Sequence, residues 1–312
     1  MQAQVRAENL SKTFRVGFFA RKVRAVESLS FEVRPGEIFG LLGPNGAGKT
    51  TTIKMLLGFV RPSSGQAFIA GAPAGTLASR RKLGYLPEHP ALYEFLRGDE
   101  YLEFAGRLAG LSRSDARQRS ATLLARVGLA GRADRRIRKF SKGMVQRLAL
   151  AQSLIAEPET VILDEPMSGL DPIGRKDVRD LILELRVEGR TVLFSTHILS
   201  DVEAICDRVG IVVEGRLTDC GALHELVAPG ARAVELVVEK IPQELSDRLA
   251  ASGAQVLKRD LATVLTFSEE PKARQALASV LEAGATVIAF TPHRRSLEEL
   301  FVARARGKAA TS

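Results

Sequence analysis

Glu37-Ile38-Phe39-Gly40-Leu41-Leu42-Gly43-Pro44-Asn45-Gly46-Ala47-Gly48-Lys49-Thr50 decides the fold. An apolar run ends in a glycine-rich turn, and from Lys49 to Leu57 the pattern becomes helical. Strand, glycine turn and helix form the setting that a phosphate-binding loop requires, and Gly43 to Thr50 fits G-x-x-x-x-G-K-[ST]. The glycines let backbone N–H groups turn inward around phosphate oxygens. The helix that follows presents its positive N-terminal end. Lys49 can reach the β- and γ-phosphates, and the Thr50 hydroxyl can ligate Mg²⁺. A chance glycine turn is the alternative, and the flanking strand and helix argue against it.

Working outward, Val161-Ile162-Leu163-Asp164-Glu165 ends a buried strand on two carboxylates. After a phosphate loop, Asp164 is a candidate Mg²⁺ ligand through the ion's water shell. Glu165 is a candidate general base toward an attacking water. Between loop and strand lies Phe140-Ser141-Lys142-Gly143-Met144-Val145-Gln146-Arg147. Ser141 reads as an N-cap whose hydroxyl and nearby N–H groups can meet an anion. An ordinary helix cap gives the same reading, and both can be true of one structure.

The strand signals Thr160 to Leu163, Thr191 to Ser195 and Val209 to Val213 are near-continuous apolar runs, suited to a parallel sheet buried on both faces. From Pro90 to Ala156 the apolar residues fall at helical spacing, as in Leu92, Leu96, Leu102, Leu108 and Leu124. Near the start, Val5 to Leu10 and Leu29 to Val33 read as short strands, and Val16 to Lys22 as a loop. Beyond Pro229-Gly230 the order is strand, helix, strand, strand, helix, strand, with a last helix from Ser296 to Ala305. That is an α+β module of ferredoxin-like order. The expected organisation is residues 1–228 as one domain with a helical subdomain at about 90–156, then 229–306 as a second domain. Residues 307–312 read as a loose tail.

At 312 residues with 45% apolar content, the chain suits about two domains. Its net charge of +9 permits contact with nucleic acid or an anionic membrane surface and proves neither. Arg132, Arg135, Arg136, Arg138 and Lys139 form the densest basic stretch, interrupted by Asp134, and read as a solvated loop. Cys206 and Cys220 are the two cysteines, without metal spacing, which fits a reducing compartment. No signal-peptide core opens the sequence, and no apolar run approaches the roughly 18 residues needed to cross a bilayer. Work at a membrane would need spanning helices from another subunit.

Together these motifs resemble ABC-type ATPases, the nucleotide-binding subunits of ABC transporters, from about Val5 to Asp219. Ser141-Lys142-Gly143-Met144 resembles the family's signature, Ser168-Gly169-Leu170-Asp171 its D-loop, and Ser195-Thr196-His197 its switch histidine. The resemblance implies an α/β fold: a parallel-rich sheet flanked by helices, an antiparallel β edge, a helical subdomain, and here the small C-terminal domain. It implies ATP and Mg²⁺. The nucleotide would meet Gly43, Pro44, Asn45, Gly46, Ala47, Gly48, Lys49, Thr50 and Thr51. Lys49, Glu165 and His197 would be catalytic, with His197 holding Glu165 and the water.

In the family, two subunits pair head to tail around two ATP. Ser141, Gly143 and Asp171 would then serve nucleotide across that interface. The metal would rest on Thr50 and Asp164, with Glu88 in the Gly84-to-His89 loop that usually carries a glutamine. Phe14 matches the family's adenine-stacking aromatic, with Phe18 and Phe19 as rivals and a core role as the alternative. Lys142 and Met144 depart from the commonest signature, L-S-G-G-Q, and Glu88 from the usual glutamine. The implied function is ATP hydrolysis powering a separate membrane permease, on the model of exporters of drugs, lipids or polysaccharides. The implied location is the cytoplasm, at the inner face of the membrane, and no nucleic-acid partner is expected. A soluble ABC ATPase acting on ribosomes or DNA is the alternative.

Overall fold

A computed structural model describes residues 3–17, 21–226, 231–259 and 262–294, with Leu297 and Phe301. It divides into two compact units, 1–223 and 224–312.

The first unit opens with a long hairpin, β1 (Val5–Val16) and β2 (Arg21–Val33), followed by β3 (Ile38–Leu42) and α1 (Lys49–Leu56). Then come β4 (Ser64–Ile69), β5 (Ala72–Pro73), α2 (Leu77–Arg81) and β6 (Leu83–Leu86). A helical stretch follows: α3 (Gly98–Leu108), α4 (Arg113–Arg126), two short 3₁₀ turns and α5 (Lys142–Leu154). The chain returns to the sheet through β7 (Thr160–Asp164), α6 (Pro172–Val187), β8 (Thr191–Thr196), α7 (Leu199–Ile205), β9 (Arg208–Val213) and β10 (Arg216–Ala222). The short α8 (Leu223–Leu226) lies at the division.

The hairpin corrects one expectation. Val16 to Lys22 is not all loop: Phe14 pairs with Val23, Arg15 with Lys22 and Val16 with Arg21. The backbone pairs continue to Val16 and Arg21 while the described side chains there face solvent. A strand wetted on both faces shows no alternation in sequence. Phe18 and Phe19 lie outside the described residues.

Six strands form the central sheet in the order β10-β9-β3-β8-β7-β6. All neighbours are parallel except β10 against β9. A second, antiparallel sheet has the order β2-β1-β4-β5. Side chains alternate across a strand, so β7 feeds two cores at once. Val161 and Leu163 pack with Leu102, Leu124, Leu148 and Leu150 of the helical stretch. Ile162 packs instead with Ile53 and Leu56 of α1 and with Val5, Leu10 and Leu29 of the hairpin. This is why the run was apolar throughout.

The register sets the site. β3 and β8 align Leu42 with Thr196, and β7 and β8 align Asp164 with Ser195. The carboxyl ends of three neighbouring strands therefore stop level. In open α/β sheets, ligands bind outside those ends.

The second unit holds β11 (Ala231–Glu239), α9 (Gln243–Ala251), β12 (Gln255–Arg259), β13 (Ala262–Phe267), α10 (Glu270–Glu282) and β14 (Thr286–Arg294). Its sheet is antiparallel in the order β12-β13-β11-β14, the ferredoxin-like arrangement. Val234, Leu236 and Val238 alternate onto one face. There they meet Leu245 and Leu249 of α9, Ala273, Ala276 and Val280 of α10, and Leu265 and Phe267 of β13. The residues expected as the last helix, Ser296 to Ala305, lie outside the description apart from Leu297 and Phe301. So do the tail and the Pro229-Gly230 boundary.

Candidate active site

The Gly43–Thr50 loop leaves β3 with Gly43 N–H donating to Thr196 O at 3.2 Å. Gly46 and Gly48 have φ of +80° and +101°, a left-handed backbone that glycine adopts without strain. At Gly48 there is also no room, since an added Cβ would lie 2.5 Å from Ala25 O. The helix this loop opens, α1, has no side-chain cap and no acidic residue in its first turn. Its N-terminal N–H groups and positive end are thus left for an external anion.

Lys49 is buried, and its Nζ donates to Gly43 O at 2.7 Å and Pro44 O at 3.2 Å. The same Nζ stands 3.2 Å from Glu165 Oε1. That pair is in range as charges but misaligned as a hydrogen bond, so Glu165 Oε1 is a buried oxygen with no hydrogen-bond donor. The other carboxylate oxygen, Oε2, is 2.9 Å from His197 Nδ1. A carboxylate oxygen only accepts, so Nδ1 carries the hydrogen and the ring is fixed in one tautomer. Glu165 has φ +49°, a left-handed conformation that costs a non-glycine residue about 1–3 kcal/mol.

Asp164 is 1% exposed. Its Oδ1 accepts from Ser195 Oγ at 2.6 Å and Thr50 Oγ1 at 3.2 Å. Burial pushes its carboxyl above the usual range, and the charge of Glu88 adds to that push. The Ser195 and Thr50 hydroxyls and Lys49 oppose it. Glu88 itself is 41% exposed at the side chain and stands 3.9 Å from His89 Nε2, and no hydrogen bond or ion pair among the described residues joins it to Asp164, Thr50 or Lys49. Burial also pushes Tyr85, at the end of β6, up to about 12, with help from Asp164 and Glu88.

Ser195 was quoted in the sequence without a role. Its hydroxyl donates to Asp164 and accepts Glu165 N–H at 3.0 Å. One side chain on β8 thereby fixes Asp164 at the end of β7 and Glu165 just after it. Only the strand register could have revealed it. Gln146 was also missed: it is 3% exposed and donates to Pro166 O at 3.1 Å.

The remaining candidates form other groups. Ser141 caps α5, accepting from Met144 N–H at 3.3 Å, and Asp171 caps α6, accepting from Gly174 N–H at 2.9 Å. A Cβ on Gly143 would stand 3.5 Å from Leu170 Cδ2. Ser141 and Asp171 are exposed. Among the described residues, no hydrogen bond or ion pair joins Ser141, Gly143 or Asp171 to Lys49, Asp164, Glu165 or His197. Phe14 is 37% exposed, so it is not a core residue, and Lys12 Nζ sits over its ring at 5.1 Å.

The cradle fits a nucleoside triphosphate: inward-turning glycines, an uncapped helix end, a buried lysine and an unsatisfied buried carboxylate oxygen. The Thr50 hydroxyl and Asp164 offer hard oxygen donors of the kind Mg²⁺ takes. Among the described residues no group of three or more His, Cys, Asp and Glu could hold a metal alone. That suits an ion held by few side chains together with phosphates and water.

A family model described as "ABC transporter" matches residues 26–168. An uncharacterized ABC transporter ATP-binding protein of Nostoc sp. is 42% identical over 96% of this chain and 88% of its own. The Nod factor export ATP-binding protein I of Ralstonia nicotianae is 37% identical over 73% of this chain and 74% of its own. A solved ATP-binding subunit of an ABC transporter superposes with a TM-score of 0.64 at 35% identity, covering 72% of this chain and 91% of that one. With loop, acidic pair, switch histidine and signature in one order on this fold, the chain belongs to the ATP-binding subunits of ABC transporters, and it is an ATPase.

Proposed function

We infer that two such subunits close head to tail around two ATP, and that each site is shared between chains. The observation that carries this is an asymmetry. Lys49, Asp164 and Glu165 converge in one buried cluster, and the more exposed His197 joins it through Glu165. Ser141 and Gly143 open a helix outside it, with no acidic residue in its first turn. A second chain's Ser141 would complete the cradle over the γ-phosphate.

Within a site, Lys49 binds the β- and γ-phosphates and Thr51 continues the phosphate-facing turn. Glu165 polarises water through Oε1, while His197 holds Oε2. Mg²⁺, held by Thr50 and Asp164 with Glu88 nearby, would neutralise phosphate charge. Phe14 would stack on adenine with its exposed face, since Lys12 covers the other.

No helix among the described residues is long and apolar enough to cross a membrane, and this reading has the permease as a separate subunit. The helical stretch offers it an aromatic face. Tyr93, Phe95, Phe104 and Leu108 are 50%, 69%, 40% and 73% exposed, and Tyr93 touches both phenylalanines. Exposed apolar clusters of this kind mark interaction surfaces. Export is the reading favoured by the Nod factor relative.

The test mixes two defective chains, Ser141→Arg and Lys49→Ala. One site of the mixed dimer then joins two intact halves, and some ATPase activity should return. Wild-type turnover by Ser141→Arg alone would refute action across the interface.

A further inference from the structure

Lys142 stands where the commonest signature has glycine, and its side chain meets a second motif of its own chain. A Cβ built on Gly169 would overlap Lys142 Nζ, stand 2.8 Å from its Cε and 3.4 Å from its Cδ. The lysine stem therefore lies along the bare Cα of Gly169, in the D-loop. Gly169 also has φ +69°, so conformation and neighbour both favour glycine there. Lys142 makes no ion pair and no hydrogen bond among the described residues. The contact is made by the end of the side chain: the ammonium and the last two methylenes of the stem lie against Gly169.

Four residues along α5, Gln146 donates to Pro166 O at 3.1 Å. Positions i and i+4 share a helix face. One face of α5 thus grips the segment after Glu165 at two points, Pro166 and Gly169. That segment is itself folded onto Glu165, whose O accepts Ser168 N–H at 3.1 Å. With glycine at 142 the contact on Gly169 would be lost, leaving Gln146 and the apolar packing of α5 on Met167 and Leu170.

We propose that Lys142 is a positioning residue: its stem locks the start of α5 to the D-loop of the same chain, so that Ser141 and Asp171 reach a second subunit as one rigid edge. This rests on the reading that Ser141 acts across the interface, and adds the element that aims it.

The experiment is a double-mutant cycle on the full-length subunit. Its members are Lys142→Ala, Gly169→Ala and the combination, with Lys142→Met and Ser141→Arg alongside. ATPase rate against ATP concentration and the thermal midpoint are measured. Lys142→Ala should raise the ATP concentration for half-maximal turnover about 5-fold, with the thermal midpoint unchanged. Lys142→Met keeps the stem and should restore it to within about 2-fold. An alanine at 169 displaces the same flexible stem. The combination should therefore lose less than the product of the single losses, by about 5-fold. Losses that multiply, or a methionine variant as impaired as the alanine one, would overturn the proposal while Ser141→Arg stays inactive. Normal turnover by Ser141→Arg would overturn the interface reading and the proposal with it.

Discussion

The phosphate-loop cluster and the signature start are held in opposite ways. Asp164, Glu165, Lys49 and Ser195 are nearly inaccessible; Ser195 joins the two carboxylate residues across neighbouring strands, and Lys49 is held by carbonyls of its own loop. Ser141 lies in the open, its side chain held by one hydrogen bond to its own helix. The first region is pre-organised by the sheet, so its dipoles need no rearrangement when charge develops. The second is pre-organised only locally, and its function depends on what approaches it. On the proposed reading, a site divided this way is chemically complete only when two surfaces meet.

The sharpest way to break this contrast is at Glu165. Glu165→Gln should lower turnover by about 10²–10⁴-fold while ATP still binds, and should accumulate a dimer visible in size-exclusion chromatography. Near-normal turnover would remove the general base from the buried half. Next is Ser195→Ala, which deletes a donor to Asp164 and the acceptor for Glu165 N–H. Bonds to charged groups are worth about 1.5–3 kcal/mol, so turnover should fall roughly 10- to 100-fold. An unaffected Ser195→Ala enzyme would mean the strand neighbours do not orient the carboxylates.

Phe14→Ala sits in the exposed half of the argument. Stacking on one base contributes about 1–3 kcal/mol, so KM for ATP should rise about tenfold with little change in kcat. Equal KM values would exclude Phe14 as the platform. The smallest effect is expected at Gln146→Ala, which orphans Pro166 O. It should cost about 1–3 kcal/mol of stability, read in a denaturant titration. Unchanged stability would mean the two regions are not fastened at that point.

The phosphate loop, the acidic pair and the signature could be read from sequence because each is a contiguous stretch whose chemistry depends on local backbone. The parallel character of the core was likewise visible in Val161 to Leu163 and Thr191 to Ser195. What sequence hid depends on neighbours brought together by pairing. Ser195 acts on β7 only because β8 lies beside it with Ser195 level with Asp164. Gln146 looked like one polar residue on a helix until Pro166 was found against it. The hairpin extension from Phe14 to Val23 was hidden for another reason. A ladder can be satisfied by backbone alone, and charged side chains there leave no period to detect.

The left-handed backbone at Glu165 carries a consequence for anyone seeking a tougher protein. Glycine or asparagine tolerates that conformation more readily, and either would also remove a carboxylate from a nearly closed site. Selection for heat resistance alone would therefore be drawn toward replacing this residue, and, with Glu165 as the proposed general base, the survivors would be stable but inert. On the proposed reading of Glu165 as general base, glutamate at position 165 serves turnover at a cost to folding.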